Sequence, residues 1–234
     1  MLHHDMMIQA GVGGGNVSYT AAGANTFTVP RYNILTIEMW GGGGGGGTSF
    51  NGAAQAFGGT GGNYARYTLN PGVLTPGTNE YLVIGNGGLR GSGSSTASSA
   101  GGFTQFGNTV GVTGGRGGNS QLVAGGSSNT FTPTFSRSGF NLTISESGGA
   151  GGLGPNNGAS VTYAGGGGGG NTNDFGSGTG GTSTFGGAGG NGGDGNNNQP
   201  RDGSAPGGAG GATDWSPGVN AGNGAVGRIV ISWS

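Results

Sequence analysis

Seven consecutive glycines, Gly41 to Gly47, follow directly on the apolar run Ile34-Leu35-Thr36-Ile37-Glu38-Met39-Trp40. Shorter glycine runs recur to the end of the chain, and glycine supplies 67 of the 234 residues. This feature constrains the fold more than any other. Glycine loses more backbone freedom on folding than any other residue. Ordering so much of it requires a compensating interaction that only glycine permits. The polyproline II helix has three residues per turn and no internal hydrogen bonds, so a single copy leaves its amides to water. Packed side by side, several such helices can bond every N–H and C=O to a neighbour, which satisfies the backbone. Only glycine lets backbones approach closely enough on all sides. Segments of the form Gly-Gly-x-Gly-Gly therefore predict a bundle of polyglycine II helices with x turned outward. The segments Gly41–Gly47, Gly114–Gly118, Gly165–Gly170, Gly186–Gly193 and Gly207–Gly211 fit it best. A flexible glycine linker has this composition but lacks the repeated Phe-Gly frame described below. Collagen requires glycine at every third position and abundant proline, which Gly41–Gly47 and eight prolines exclude. A twisted all-β fold with glycine loops stays open as the alternative.

Strand signals lie towards the two ends. Val17–Thr20, Asn25–Val29, Ile34–Trp40, Tyr64–Leu69, Glu80–Ile84 and Gly227–Trp233 read as strands. Leu35, Ile37 and Met39 share one face of their run, Thr36, Glu38 and Trp40 the other; Ile229, Ile231 and Trp233 share a face of the last. The expectation is an all-β, partly irregular fold with essentially no α-helix, since no segment carries apolar residues at helical spacing. A small β-structure made by the N- and C-terminal strands would carry the polyglycine bundle. The organisation expected is an attachment arm over residues 1–15 and a glycine-rich domain over 16–234. In that domain, strands lie near 17–40, 64–84 and 226–233, and the bundle with its loops fills 85–225. One near-repeat reads as a unit used twice: Gly101-Gly102-Phe103-Thr104-Gln105-Phe106-Gly107 returns as Gly180-Gly181-Thr182-Ser183-Thr184-Phe185-Gly186.

Charge and composition narrow the function classes. The formal net charge is −1 and all seven basic residues are Arg, so no basic stripe marks a nucleic-acid partner. The absence of Cys excludes disulfides and thiolate chemistry. No apolar run approaches a membrane span. The first residues lack a signal peptide's pattern, which predicts assembly in a host cytoplasm. Without Lys there is no Walker A loop, and the many G-x-G-x-x-G matches precede no helix. Both histidines, His3 and His4, fall in the first four residues, and the carboxylates are scattered singly. The chain therefore reads as no enzyme, with no cofactor and no metal. Gly189 to Asp194 matches part of a calcium-binding nonapeptide, but the next apolar position is Asn196 and the copy is single. Mixed Ala, Asn, Arg and Asp at the x positions argue against the regular Thr face of an ice-binding protein.

The frame Asn25-Thr26-Phe27-Thr28-Val29-Pro30, the run Ile37-Glu38-Met39-Trp40 entering Gly41–Gly47, and the terminal Gly227–Trp233 strand resemble a glycine-rich domain common in bacteriophage tail-fibre proteins. The interior is similar to the polyglycine II receptor-binding adhesins at the long-tail-fibre tips of T-even-type phages. The resemblance implies a virion protein at a fibre tip that binds a bacterial surface protein or glycan. It implies no membrane insertion and a place in a multimeric assembly, exposed on the virion. The alternative is a structural virion protein, such as a fibre, head fibre or decoration protein, without direct receptor binding. Loops between glycine segments are the expected contact points: Leu89–Ala100, Asn129–Glu146, Asn171–Phe175 and Asn196–Pro206. Candidate receptor contacts are Phe131, Phe135, Arg137, Phe140, Phe175, Arg201 and Trp215, because aromatics and Arg dominate binding hot spots. The competing reading buries the phenylalanines as caps of the bundle end. Candidate attachment residues, in the arm, are Met1, Leu2, Met6, Met7 and Ile8.

Overall fold

The computed structural model describes residues 13–49, 55–92, 98–108, 110–119, 137–172, 176–193, 199–213 and 219–234. Eleven strands and no helix of the α type occur among them: β1 (Gly15–Tyr19), β2 (Gly23–Thr28), β3 (Leu35–Trp40), β4 (Tyr64–Leu69), β5 (Asn79–Ile84), β6 (Thr104–Phe106), β7 (Val110–Val112), β8 (Phe140–Glu146), β9 (Asn171–Thr172), β10 (Gly176–Ser177) and β11 (Arg228–Trp233). A five-stranded antiparallel sheet runs β1-β11-β3-β4-β8, and a four-stranded one runs β2-β5-β6-β7. The first and last strands do meet: β1 pairs β11 with Gly15 opposite Trp233 and Tyr19 opposite Ile229. No side chain fits at Gly15, because a Cβ there would lie 2.5 Å from the Trp233 indole.

The core follows the alternation of the strands. Leu35, Ile37, Met39, Ile229 and Ile231 are fully buried, together with Leu82, Phe106, Val110 and Val112 of the four-stranded sheet. β3, β4, β5 and β11 bury the face that their alternating apolar residues define. Trp233 is only partly buried and packs on Phe27 at 6.2 Å between ring centroids. The β-structure is thus a sandwich of two sheets, larger than the pairing of end strands expected from sequence. Three of its strands, β6, β7 and β8, come from the glycine-rich middle.

The glycine segments form the expected bundle. From 41–47, Gly41, Gly44 and Gly47 donate to Asn63, Thr60 and Phe57; Gly42 and Gly45 donate to Gly102 and Ser99; Gly43 and Gly46 donate to Ala225 and Gly222. Every third residue therefore addresses the same neighbour, which is the signature of a threefold helix. The carbonyls repeat the pattern: Gly42 and Gly45 accept from 115 and 118, Gly43 and Gly46 from 88 and 91, Gly44 and Gly47 from 210 and 213. Segment 41–47 is thus enclosed by six neighbours, three accepting its N–H groups and three donating to its carbonyls. Segment 165–170 is enclosed the same way, by 59–62, 187–190, 156–159, 149–152, 209–212 and 178–181. So is 207–213, by 41–47, 165–170, 201–204, 57–63, 187–193 and 222–225. The three central helices are buried throughout. Among the glycines of all these segments only Gly207 has φ in the left-handed region, at 73°.

All five segments expected from sequence belong to this lattice. So do 57–63, 85–91, 98–102, 148–152, 156–160, 178–182, 201–204 and 222–227. The outward x position holds at the periphery, where Arg116 and Asn191 are exposed. It fails in the centre, where the x residues of 207–213 are Ala209 and Ala212, both buried. Successive helices alternate in direction. β3, β5, β7 and β8 run straight into the helices at 41, 85, 113 and 148, and the helices ending at 63, 102 and 227 run into β4, β6 and β11. Strand and polyproline II backbones are both extended, rising about 3.3 and 3.1 Å per residue, so one passes into the other without a cap. The sandwich therefore sits at one end of the bundle.

The near-repeat is not one unit used twice. In its first copy Phe106 ends β6 and is fully buried, because Gly107 (φ 57°) turns the chain into the apolar strand β7. In the second copy Phe185 is 54% exposed, because Gly186 and Gly187 lead into another lattice helix and no strand returns to cover it. Three expected loops also shrink. Residues 140–146 of Asn129–Glu146 are β8, and 201–204 of Asn196–Pro206 are a lattice helix. Leu89–Ala100 loses its flanks to the helices 85–91 and 98–102 in the same way.

Candidate functional site

The edge of a polyglycine lattice leaves backbone groups without a neighbouring helix. Short polar side chains close several of them. Asn157 Oδ1 accepts from the Thr179 N–H at 2.8 Å, Asn223 Oδ1 from Arg90 N–H at 3.1 Å, Asn191 Oδ1 from Gly180 N–H at 2.9 Å and Ser160 Oγ from Thr182 N–H at 2.9 Å. Asp202 Oδ1 does the same for the Asn223 N–H at 2.6 Å. Asparagine and serine at the lattice edge thus stand in for neighbouring helices.

At the end of the bundle away from the sandwich, one stretch of edge is recessed. Ser177, Gly178 and Thr179 form one wall, Gln199, Pro200 and Arg201 the other, and Asn191 and Gly192 the floor of a groove of about 430 Å³. The frame is rigid backbone: Gly192 N–H donates to Gly178 at 2.9 Å, and Arg201 N–H donates to the Asn191 carbonyl at 3.0 Å. The floor helix has neighbours at 178–182, 165–170, 207–213 and 201–204 and, among the described residues, none on its outer side. Its Asn191 N–H and Gly192 carbonyl consequently have no hydrogen-bond partner among the described residues. Arg201 is exposed, and no ion pair among the described residues involves it. Of the candidate contacts chosen from sequence, Arg201 alone is placed at this end among the described residues.

Arg137 and Phe140 lie at the opposite end. Phe140 opens the edge strand β8 and packs on Phe106 and Tyr67, at 6.0 and 6.3 Å between ring centroids. The Arg137 guanidinium sits 5.5 Å above the Phe140 ring and pairs with Glu80 at 3.3 Å. These two residues close the rim of the sandwich core, where Phe140 is only partly buried. Phe131, Phe135, Phe175 and Trp215 lie outside the described residues, as do Met1, Leu2, Met6, Met7 and Ile8.

A second feature was not anticipated. Trp40, Tyr64, Tyr163 and Phe185 form a continuous aromatic column on the outer face of the five-stranded sheet. Successive centroids are 4.9, 5.2 and 5.0 Å apart, and the last two contacts are stacked. Arg228 covers the outer side of Trp40 at 4.6 Å. Trp40 Nε1 donates to the Tyr163 carbonyl at 2.7 Å, and the Glu146 carboxylate accepts from the N–H groups of Thr162, Tyr163 and Ala164 at 3.0, 2.5 and 2.7 Å. Tyr64 donates to Glu38 at 2.7 Å, and Arg66 pairs with the same carboxylate at 2.8 Å. Burial, and then the hydrogen bond to Glu38, push the Tyr64 phenol well above its ordinary range. No sequence spacing connects Trp40, Tyr163 and Phe185; the turn over 160–164 brings them together. The column is a clamp that holds this turn on the sheet.

These features define an all-β glycine-rich protein in which a sandwich carries a polyglycine II lattice. A family model described as a glycine-rich domain matches residues 19–234, and the chain belongs to that glycine-rich domain family. No curated protein matches the chain significantly.

Proposed function

We propose that this chain is a bacteriophage virion protein at a fibre tip, where it binds the host cell surface. The observation that carries the reading is the polarity of the fold. Gly13 and Gly14 lead into β1 at the sandwich, so residues 1–12 are joined to the molecule at that end. The polar groove opens at the other end. A backbone lattice whose three central helices are each enclosed by six neighbours is a stiff spacer between the two. In this reading the arm contacts another virion protein, and the far end meets a bacterial surface protein or glycan. The reading assigns no reaction to the chain. The exposed Phe185 beside the sandwich favours a second reading, a structural virion protein whose lateral aromatic surface is covered by another subunit.

An antibody against the full chain separates the two. Under the tip reading it decorates the distal ends of fibres by electron microscopy and blocks adsorption to host cells. Decoration along a shaft or on the head, with adsorption intact, contradicts it.

A further inference from the structure

The groove has two chemically different sides, and the threefold repeat says which is which. Around the floor helix 187–193, donor and acceptor directions alternate. Gly189 and Gly192 donate to 181 and 178; Ala188 and Asn191 accept from Ser204 and Arg201. The open direction next to the 201–204 helix is therefore a donor direction, that of the Ala188 and Asn191 N–H groups. The open direction next to the 178–182 helix is an acceptor direction, that of the Gly189 and Gly192 carbonyls. Beside Arg201 the groove thus offers a guanidinium and a free backbone N–H. Beside Ser177 and Thr179 it offers a backbone carbonyl and two residues bearing hydroxyls. Asp202, next in sequence, does not pair with Arg201: it points to the 222–225 helix, where its Oδ1 holds the Asn223 N–H at 2.6 Å. Among the described residues no carboxylate lines the groove. Its volume, about 430 Å³, lies in the usual range of small-ligand sites, about 300–1,000 Å³.

We propose that this groove binds an acidic saccharide. The sugar carboxylate lies against the Arg201 guanidinium and the Asn191 N–H, and ring hydroxyls meet the Gly192 carbonyl, Ser177 and Thr179. Guanidinium forks match carboxylates, and such charge-assisted bonds are shorter and stronger than neutral ones. Neutral hydroxyls on the ligand donate to the carbonyl opposite and pair with the Ser177 and Thr179 hydroxyls, which donate or accept as needed. The polar floor and the single positive charge fit a sugar acid better than an apolar peptide, which would leave the Asn191 N–H and Gly192 carbonyl desolvated and unpaired. This assignment rests on the receptor-binding reading and specifies the chemistry of that contact.

The test uses the full chain and glucuronic acid, galacturonic acid and a 2-keto-3-deoxy sugar acid, each beside its methyl ester. Binding is read by saturation-transfer NMR and calorimetry. At least one acid binds, and its ester, with the same hydroxyls and no charge, binds at least about tenfold more weakly. Arg201→Gln reduces acid binding by about tenfold, which corresponds to about 1.4 kcal/mol. The unfolding midpoint stays unchanged, because the side chain is exposed and the backbone bonds of residue 201 remain. No binding by any acid, equal binding of acid and ester, or full binding by Arg201→Gln overturns the groove assignment. Adsorption to bacteria distinguishes this from failure of the wider reading. If the chain binds cells without competition from the acids and without loss in Arg201→Gln, only the groove assignment falls. If it binds no host cell at all, the receptor-binding reading falls as well.

Discussion

Gly44→Ala tests the close packing of the lattice in one of its enclosed central helices. A Cβ at Gly44 would lie 1.9 Å from the Arg116 carbonyl oxygen and 2.4 Å from its carbon. A comfortable carbon–oxygen contact is about 3.3 Å, so the 113–119 helix must retreat by roughly 1.4 Å. The obstacle is backbone and has no rotamer to change. That helix is held by Gly115 N–H to Gly42 at 2.8 Å, Gly118 N–H to Gly45 at 2.8 Å and Thr60 N–H to Arg116 at 2.9 Å. The retreat breaks or badly weakens all three. At about 0.5–1.5 kcal/mol net per bond the loss is roughly 1.5–4.5 kcal/mol. Overpacking strain adds about 1–3 kcal/mol, and the smaller unfolded-state entropy of Ala returns only about 0.4–1 kcal/mol. The expected destabilisation is about 1.5–7 kcal/mol, a large part of the roughly 5–15 kcal/mol that holds an ordinary domain. Urea unfolding followed by circular dichroism measures it. Gly13→Ala is the control, since nothing lies within 4 Å of that Cβ, and it should shift stability by less than about 0.5 kcal/mol. A Gly44→Ala chain within about 1 kcal/mol of the parent would refute the close-packed lattice.

Three further outcomes follow from the sandwich end. Glu146→Ala leaves the N–H groups of Thr162, Tyr163 and Ala164 without their acceptor and should cost about 2–4 kcal/mol in the same assay; an unchanged midpoint would mean that the turn holds without it. Phe140→Ala should destabilise by about 2–3 kcal/mol, since the ring is only partly buried, while the protein that remains folded binds cells as before; lost binding at unchanged stability would restore Phe140 as a contact residue. Stability should also fall in alkali. The folded Tyr64 keeps its proton above the ordinary phenol pKa of 10.0 because it is buried and donates to Glu38, whereas the unfolded chain loses it. The stabilisation is complete below about pH 10 and declines above it by up to about 1.4 kcal/mol per pH unit for this tyrosine; a Tyr64→Phe chain with an identical alkaline slope would contradict that assignment.

Much of the lattice could be read from the chain because its rule is local. A run such as Gly41–Gly47 has few ordered alternatives, and x-residue spacing marks the peripheral helices. Leu35, Ile37 and Met39 likewise announced their buried face by alternation alone. The strands β6, β7 and β8 were harder to recognise. β6 and β7 are three residues each, and the apolar character of β8 is diluted by Asn141, Thr143 and Ser145. With Phe140 at its start, that strand reads as an aromatic loop until its pairing with β4 is known. The groove was only partly legible. Arg201 is among the contact candidates that the sequence offers, but the groove's walls come from 177–179 and 199–201, and its floor from a helix whose open side no linear spacing records. The aromatic column depends in the same way on a turn that carries Tyr163 across the sheet.

Amide hydrogen exchange, resolved by residue, tests the central claim most directly. If the glycines of the three enclosed helices bond to six neighbours, then Gly42–Gly46, Gly166–Gly169 and Gly208–Gly211 exchange as slowly as Ile37 and Ile231 in the sheet. Both groups then open only with global unfolding. Exchange of these glycines at the rate of an unstructured chain, with the sandwich amides still protected, would contradict the lattice and the rigid spacer built upon it.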